Sequence, residues 1–459
     1  MEEIKITDYG LNGFGIGHID DKTYFVRNGI VGEIVAVEPY LKQGNLVFCN
    51  IQEIKKASNF RVVPPCKYYQ ICGGCNLQHL EYLEQLNYKK IQVTNSLKKF
   101  LKFDIKINDC IGSTDYHYRN KISLAVREEN GTNVLGYFQE NTHKILEIDE
   151  CLLDDNFSTI LLKLIRQFLT QNKISCYNET TKKGNLKYIV ARKVDKNILI
   201  CCVVGNPDIK PFLPFYEILK NEFGSCGLSL SINNNPKTIL GEKFINIAGI
   251  NEIKSQKMGV DFVIDSASFM QVNDEIANNV YIQILDNISV DDIVINNYSG
   301  AGLLTSIIAK KSSVCIGIEI NKFATKLADN LTSRNEISNQ YNLCGKCEEI
   351  LPKLLNKVNE NILNLTEFKS EEKDIQLSSK NNLICVLDPP RKGCEKIVLE
   401  SIIASPIKKI IYLSCNPATL GRDLQILTKD FEIQSIQPFD MFPQTSHIEN
   451  LVVMTKKIK

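Results

Sequence analysis

Three short segments in the C-terminal half place reactive side chains directly after apolar runs. Ser414-Cys415-Asn416-Pro417 follows Ile410-Ile411-Tyr412-Leu413 and precedes a predicted helix starting near Ala418. A thiol at a helix N-terminus is held toward the thiolate, the form that attacks electrophiles. A buried cysteine in a tight turn fits the same position equally well. Asp388 leads Asp388-Pro389-Pro390-Arg391-Lys392-Gly393 after Leu383–Leu387. The two prolines remove backbone donors and stiffen the loop that holds the acid. Glu449, in His447-Ile448-Glu449-Asn450, precedes the apolar run Leu451–Met454. Far upstream, Cys66-x5-Cys72-Gly73-Gly74-Cys75 packs three thiols into ten residues, with Cys151 as the best candidate for a fourth. Four thiolates suit an iron–sulfur cluster or a structural zinc, and the spacing does not choose between them.

The elements that must position these residues follow from periodicity. From about residue 256 the rhythm is β-α-β-α. Continuous apolar strands at Ile293–Ile295, Val314–Ile318, Leu383–Leu387 and Ile410–Leu413 alternate with helices at 303–311 and 322–335. Strands apolar throughout, separated by helices, predict a parallel sheet covered on both faces. Ligands of such open sheets bind at the carboxyl ends of the strands, which is where Asp388 and Cys415 fall. Tyr298-Ser299-Gly300-Ala301-Gly302 follows the first strand and opens a helix, and Glu319 ends the second strand. A glycine turn with a strand-end acid about twenty residues on is the pattern of an adenosine-type cofactor. It does not separate a nicotinamide cofactor from S-adenosylmethionine. Residues 357–382, rich in Asn, Glu, Lys and Ser, read as a surface insertion.

With 459 residues, the chain is too long for one compact core. The organisation read from it is a small OB-type β-barrel at 1–55, an α+β middle domain carrying the cysteine cluster at 56–255, and a doubly wound α/β domain at 256–459. In the barrel, glycine-punctuated alternation predicts five short strands, a shape that often binds single-stranded nucleic acid. The formal net charge of +1 weighs weakly against nucleic acid without excluding a basic face. No apolar run is long enough for a membrane span, and the N-terminus lacks a signal-peptide core. The expectation is therefore a cytoplasmic protein whose sixteen cysteines are not disulfides.

Taken in order, Ser268-Phe269-Met270-Gln271-Val272-Asn273, the Asp388-Pro389-Pro390-Arg391 loop, Ser414-Cys415-Asn416-Pro417-Ala418-Thr419 and His447-Ile448-Glu449-Asn450 closely resemble the signatures of the RNA uracil-5-methyltransferase family. Cys72-Gly73-Gly74-Cys75-Asn76-Leu77-Gln78-His79-Leu80 resembles the [4Fe-4S]-binding segment of that family's large-subunit ribosomal RNA branch, and the N-terminal barrel resembles a TRAM domain. The resemblance implies a class I, Rossmann-like methyltransferase fold and S-adenosylmethionine as methyl donor. It implies Cys415 as nucleophile at uracil carbon 6, Glu449 as the base that removes the carbon-5 proton, and Gln271, Tyr298, Gly300, Glu319 and Asp388 at the cofactor. Phe269 would lie near the target base, and Cys66, Cys72, Cys75 and Cys151 would hold the cluster. The implied partner is 23S ribosomal RNA and the simple expectation is a monomer. Transfer RNA is the alternative substrate. One departure stands out: the family usually carries an acid where this chain has Asn296, which points to a weakened cofactor site or a catalytically lapsed RNA-binding protein. A nicotinamide oxidoreductase with a zinc ribbon is the reading from another class.

Overall fold

The computed structural model describes residues 2–356, 362–365, 374–376 and 382–458. Three large sheets organise the chain. In the first, Glu2–Lys5 pairs with Ile34–Gln43, while Asp8–Tyr9, a few residues on, pairs with Phe14–Ile19 at the opposite edge. One short stretch thus joins both edges, so the sheet curls on itself around Ile4, Ile6, Tyr24, Val26, Val35, Val37, Val47 and Cys49. It has six strands where the sequence predicts five, because the N-terminal stretch is split in two.

The second sheet runs in the order Lys243–Gly249, Cys226–Ile232, Asn197–Val204, Leu186–Val194, Lys121–Glu129, Thr132–Phe138, Ile145–Glu147. Helices Phe157–Gln171 and Leu213–Phe223 contribute Phe168 and Phe215, stacked at 4.5 Å, to the core beneath it. Cys202 and Cys226, which sit in apolar runs, are buried in that core, and so is Cys176.

The third sheet has the order Gln340–Cys344, Val314–Glu319, Ile293–Asn297, Leu383–Leu387, Lys409–Ser414, Glu449–Lys456, Phe431–Phe439. Its first five strands are parallel, Glu449–Lys456 runs antiparallel to them, and Phe431–Phe439 at the edge is antiparallel to Glu449–Lys456. This is the doubly wound α/β sheet expected. Strand order reverses between Ile293–Asn297 and Leu383–Leu387, the point where a crevice opens at the carboxyl ends. Of the expected insertion at 357–382, the described residues are a short antiparallel pair, Ile362–Asn364 with Asp374–Gln376, together with Asn382 and the buried Leu365; the others lie outside the described residues. Among the described residues no helix is long and apolar enough to cross a membrane.

The helix Tyr82–Lys98 is the main tie between the cysteine-bearing segment and the third sheet. Val93, Leu97, Leu101, Ile107 and Cys110 pack into that sheet's core. On the same helix Lys89 is fully buried and paired with the equally buried Asp440, while its ammonium also donates to the Phe442 carbonyl at 3.2 Å. Burial pushes the Asp440 carboxyl up and Lys89 opposes this. Breaking a buried pair leaves a bare charge in a dry site and costs about 3–5 kcal/mol, whereas replacing both partners by apolar groups costs far less. Lys89→Ala is therefore expected to shift the urea unfolding midpoint strongly downward, and Lys89→Met with Asp440→Leu to restore most of it. Equal losses in the two variants would mean that the charges themselves are dispensable.

Candidate active site

Every candidate catalytic side chain hangs from the carboxyl edge of the third sheet. The turn after Ile293–Asn297 has three residues in the left-handed region, Tyr298 (φ 62°), Gly300 (φ 56°) and Gly302 (φ 85°). Glycine is required at 302, where a Cβ would meet the Ala328 Cβ at 2.6 Å; at Gly300 a Cβ would point into open space. The turn is therefore pressed on one side against the helix Lys322–Arg334 and open on the other. Glu319 braces it, accepting from the Gly300 amide at 2.9 Å and from the Asn321 amide at 2.8 Å.

A cavity of about 270 Å³ opens beside this turn. Its walls include Phe269, Gln271, Tyr298, Gly300, Asp388 and Glu449. Segments more than 170 residues apart thus converge on one space. Glu319 stands behind the wall at Gly300, and Cys415 stands beside Glu449 at the end of the neighbouring strand. Phe269 is 81% exposed, which rules out core packing and leaves an aromatic face free at the cavity rim.

The loop after Leu383–Leu387 and the turn after Lys409–Ser414 are clasped together. Asn416 Nδ2 and Thr419 Oγ1 both donate to the Arg391 carbonyl at 3.2 Å, and Asn416 Oδ1 caps the helix Pro417–Leu427 by accepting from the Ala418 amide at 3.0 Å. Cys415 is half-buried between Asp388, Arg391 and Glu449. The helix N-terminus does not dominate its ionisation as expected from the sequence. Burial and then the Glu449 charge push the thiol up, against the opposing Arg391.

The two carboxyls are shifted the same way. Burial, reinforced by Asp388 and opposed by Arg391, pushes Glu449 up to about 8. Asp388 touches cavity solvent yet is surrounded by protein, and this desolvation raises it to about 7. Two carboxyls raised toward neutrality beside a thiol form a proton-handling site. Arg391, quoted in the sequence motif without a role, is the cation that restrains both Cys415 and Glu449. Asn296 is buried in its strand and its amide donates to Thr305 at 2.9 Å, with Oδ1 unpartnered. Its side chain thus faces Thr305 in the helix Leu303–Ala309 and not the cavity wall.

Cys66, Cys72, Cys75 and Cys151 line a separate cavity of about 250 Å³, with Arg119 among its walls. The distant Cys151 thus joins the three clustered cysteines. Burial raises Cys72, Cys75 (to about 12) and Cys151 (to about 11), and each also feels its neighbours. Among the described residues no group of three or more His, Cys, Asp or Glu side chains is arranged to hold a metal ion; the four thiols ring a void instead. Cys344 and Cys347 form a further close pair in the sequence; Cys347 is buried and donates to Asn297 Oδ1 at 3.2 Å, an ordinary structural role, while Cys344 is exposed.

The sequence model of the tRNA (uracil-5-)-methyltransferase family matches residues 81–457. An uncharacterized RNA methyltransferase of Clostridium acetobutylicum is 35% identical, covering 99% of this chain and 96% of that protein. One of Listeria innocua is 32% identical, covering 99% and 97%. The crystal structure of the Pyrococcus abyssi tRNA (uracil-54, C5)-methyltransferase in complex with S-adenosyl-L-homocysteine superposes with a TM-score of 0.74, over 99% of this chain and 100% of that one, at 24% identity.

A glutamate held near 8 in the folded chain and near 4.3 when unfolded binds its proton more tightly in the fold. Its contribution to stability is present at low pH, shrinks as pH rises above about 4.3, and has become a penalty by pH 8. Glu449→Gln is thus expected to raise the thermal midpoint at pH 8 and leave it unchanged near pH 4.5. No gain at pH 8 would show the carboxylate to be well solvated.

Proposed function

This chain belongs to the tRNA (uracil-5-)-methyltransferase family and is an RNA methyltransferase, and on that premise we propose that it methylates carbon 5 of a uridine through a covalent Cys415 adduct. The observation that supports this most is the meeting of Glu449, Asp388, Gln271, Tyr298 and Phe269 on one cavity with Cys415 beside it. S-adenosylmethionine, the methyl donor read for this cavity, supplies an already activated methyl on a sulfonium, and the Pyrococcus abyssi enzyme was crystallised with the demethylated form of that donor. Gly300, open on its ligand side, lets the backbone approach a bound molecule, while Glu319 and Asp388 supply carboxylates for hydroxyl and amino groups and Gln271 and Tyr298 supply polar and aromatic walls.

In this reading the Cys415 sulfur bonds to uracil carbon 6, and the ring's electron pair moves onto the carbonyl oxygen as an enolate. Carbon 5 thereby becomes nucleophilic and takes the methyl. Glu449 then removes the carbon-5 proton, the carbon–sulfur bond breaks, and the 5,6 double bond returns. A glutamate pushed up to about 8 is a strong acceptor for that proton. Because carbon 5 is inaccessible in a stacked helix, the uridine must leave the stack, and the exposed ring of Phe269 is suited to meet it.

The division near residues 55 and 255 carries into this proposal as a TRAM-like RNA-binding barrel, a cysteine-bearing middle domain and a methyltransferase domain. A [4Fe-4S] cluster is the reading for Cys66, Cys72, Cys75 and Cys151. All four line one cavity of about 250 Å³, and the resemblance of the Cys72–Leu80 segment favours the cluster over zinc. The proposed substrate is 23S ribosomal RNA, on the resemblance of the Cys72–Leu80 segment. Transfer RNA is favoured by one observation: a tRNA enzyme matches this chain over 99% of its length. An N-terminal barrel does not by itself separate the two substrates.

The test uses anaerobically purified protein, methyl-labelled S-adenosylmethionine, and ribosomal or transfer RNA transcripts. Wild type is expected to label ribosomal RNA as 5-methyluridine and Cys415→Ala to label nothing. Glu449→Gln is expected to stall with RNA attached to protein through denaturing electrophoresis. Label in transfer RNA alone would overturn the substrate and leave the chemistry; full activity in Cys415→Ala would overturn the chemistry.

A further inference from the structure

The strand that bears Glu449 is reached through the loop Asp440–Ile448, and this loop is bound to the residues that follow Cys75. Asn76 and Leu77 both donate their amides to the Gln444 carbonyl, at 3.0 and 3.1 Å. Asn76 Oδ1 accepts from the Ser446 amide at 2.8 Å, and its Nδ2 donates to Ser446 Oγ at 3.0 Å. Gln444 is buried in the left-handed region (φ 67°), an uncommon conformation for a residue with a Cβ. It is held there by a reciprocal pair with Gln85, whose Nε2 donates to Gln444 Oε1 at 2.9 Å and whose Oε1 accepts the Gln444 amide at 3.1 Å. Two residues, His447 and Ile448, separate Ser446 from Glu449, and one peptide bond joins Asn76 to Cys75. His447, between them, contacts the Arg391 guanidinium through Nδ1 at 3.4 Å.

From this geometry we infer that Asn76 is a positioning residue for Glu449, fastening the approach to the base onto the cysteine-bearing loop. The cysteine cavity then serves the reaction mechanically: it fixes the loop that fixes the base. The inference rests on Glu449 being the base. The Asn76 side chain both donates to and accepts from Ser446, which makes this part-buried contact directional. Glu449 is itself faced by Asp388 and Arg391 from the loop after Leu383–Leu387 and by Cys415 from the turn after Lys409–Ser414, and its place among them depends on where its strand begins.

Asn76→Ala removes both side-chain bonds to Ser446, and Asn76→Asp keeps the acceptor for the Ser446 amide. The readouts are single-turnover methylation across pH 6–10, the KM for RNA, S-adenosylmethionine affinity and amide exchange over 444–450. Asn76→Ala is expected to lower kcat by ~10–100-fold, as a small displacement of a reacting group does, with S-adenosylmethionine affinity and RNA KM held. The limb of the pH profile that reports Glu449 should move to lower pH, because a loosened strand end admits water to the carboxyl, and exchange at 444–450 should quicken. Asn76→Asp should recover most of kcat, and Ser446→Ala, which cuts one of the same bonds from the other side, should show a weaker form of the Asn76→Ala effect. An unchanged kcat and pH limb in Asn76→Ala overturns the inference, as does a loss confined to RNA KM or to S-adenosylmethionine affinity. A wild type that forms neither 5-methyluridine nor a trapped adduct overturns the underlying reading of the site instead.

Discussion

The pairing of Glu449–Lys456 with Lys409–Ser414 is the constraint on which the rest of the site depends. Asn450 lies opposite Ser414, and the Asn450 Nδ2 donates across the pair to the Ser414 carbonyl at 3.3 Å. Continuing that register by one residue sets Glu449 beside Cys415. Because side chains alternate faces along a strand, a slip of one residue would turn Glu449 away from the cavity. Phe431–Phe439 locks the strand from its other side, and Leu451–Met454 are buried on both of its faces. Proton-transfer geometry is thus secured by the same contacts that build the core.

Around that register the site collects groups that fold at a cost. Burial raises Asp388, Glu449 and Cys415 together, and Arg391 is the cation set against them. Such an arrangement destabilises the anions it will use, which is the usual way a protein keeps a proton acceptor strong near neutral pH. The clasp of Asn416 and Thr419 onto the Arg391 carbonyl keeps the thiol turn and the Asp388 loop from spreading apart under that repulsion.

Much of this was legible in the residues. Continuous apolar strands with intervening helices give the parallel sheet, while the packing of Gly302 against Ala328 shows only in the fold. Cys151, the candidate fourth thiol, lines the same cavity as Cys66, Cys72 and Cys75. Three further things were not legible, each for a physical reason. The helix Tyr82–Lys98 carries buried Gln85, Lys89 and Gln92, so its inward face reads as polar, and its tie to the third sheet is invisible without the partners Gln444 and Asp440. The direction of the Cys415 shift depends on Glu449 and Asp388, which are neighbours only after folding. Asn296 stands where the resemblance implies an acid, and which way its side chain turns is a matter of tertiary packing with Thr305.

The most direct test of the central claim is mass spectrometry of the protein after reaction with S-adenosylmethionine and substrate RNA carrying 5-fluorouridine at the target, where fluorine in place of the carbon-5 proton blocks the final elimination. The account predicts a methylated fluorouridine fragment attached to the peptide containing Cys415. Attachment to any other residue, or methyl transfer to RNA with no attached peptide at all, would contradict it.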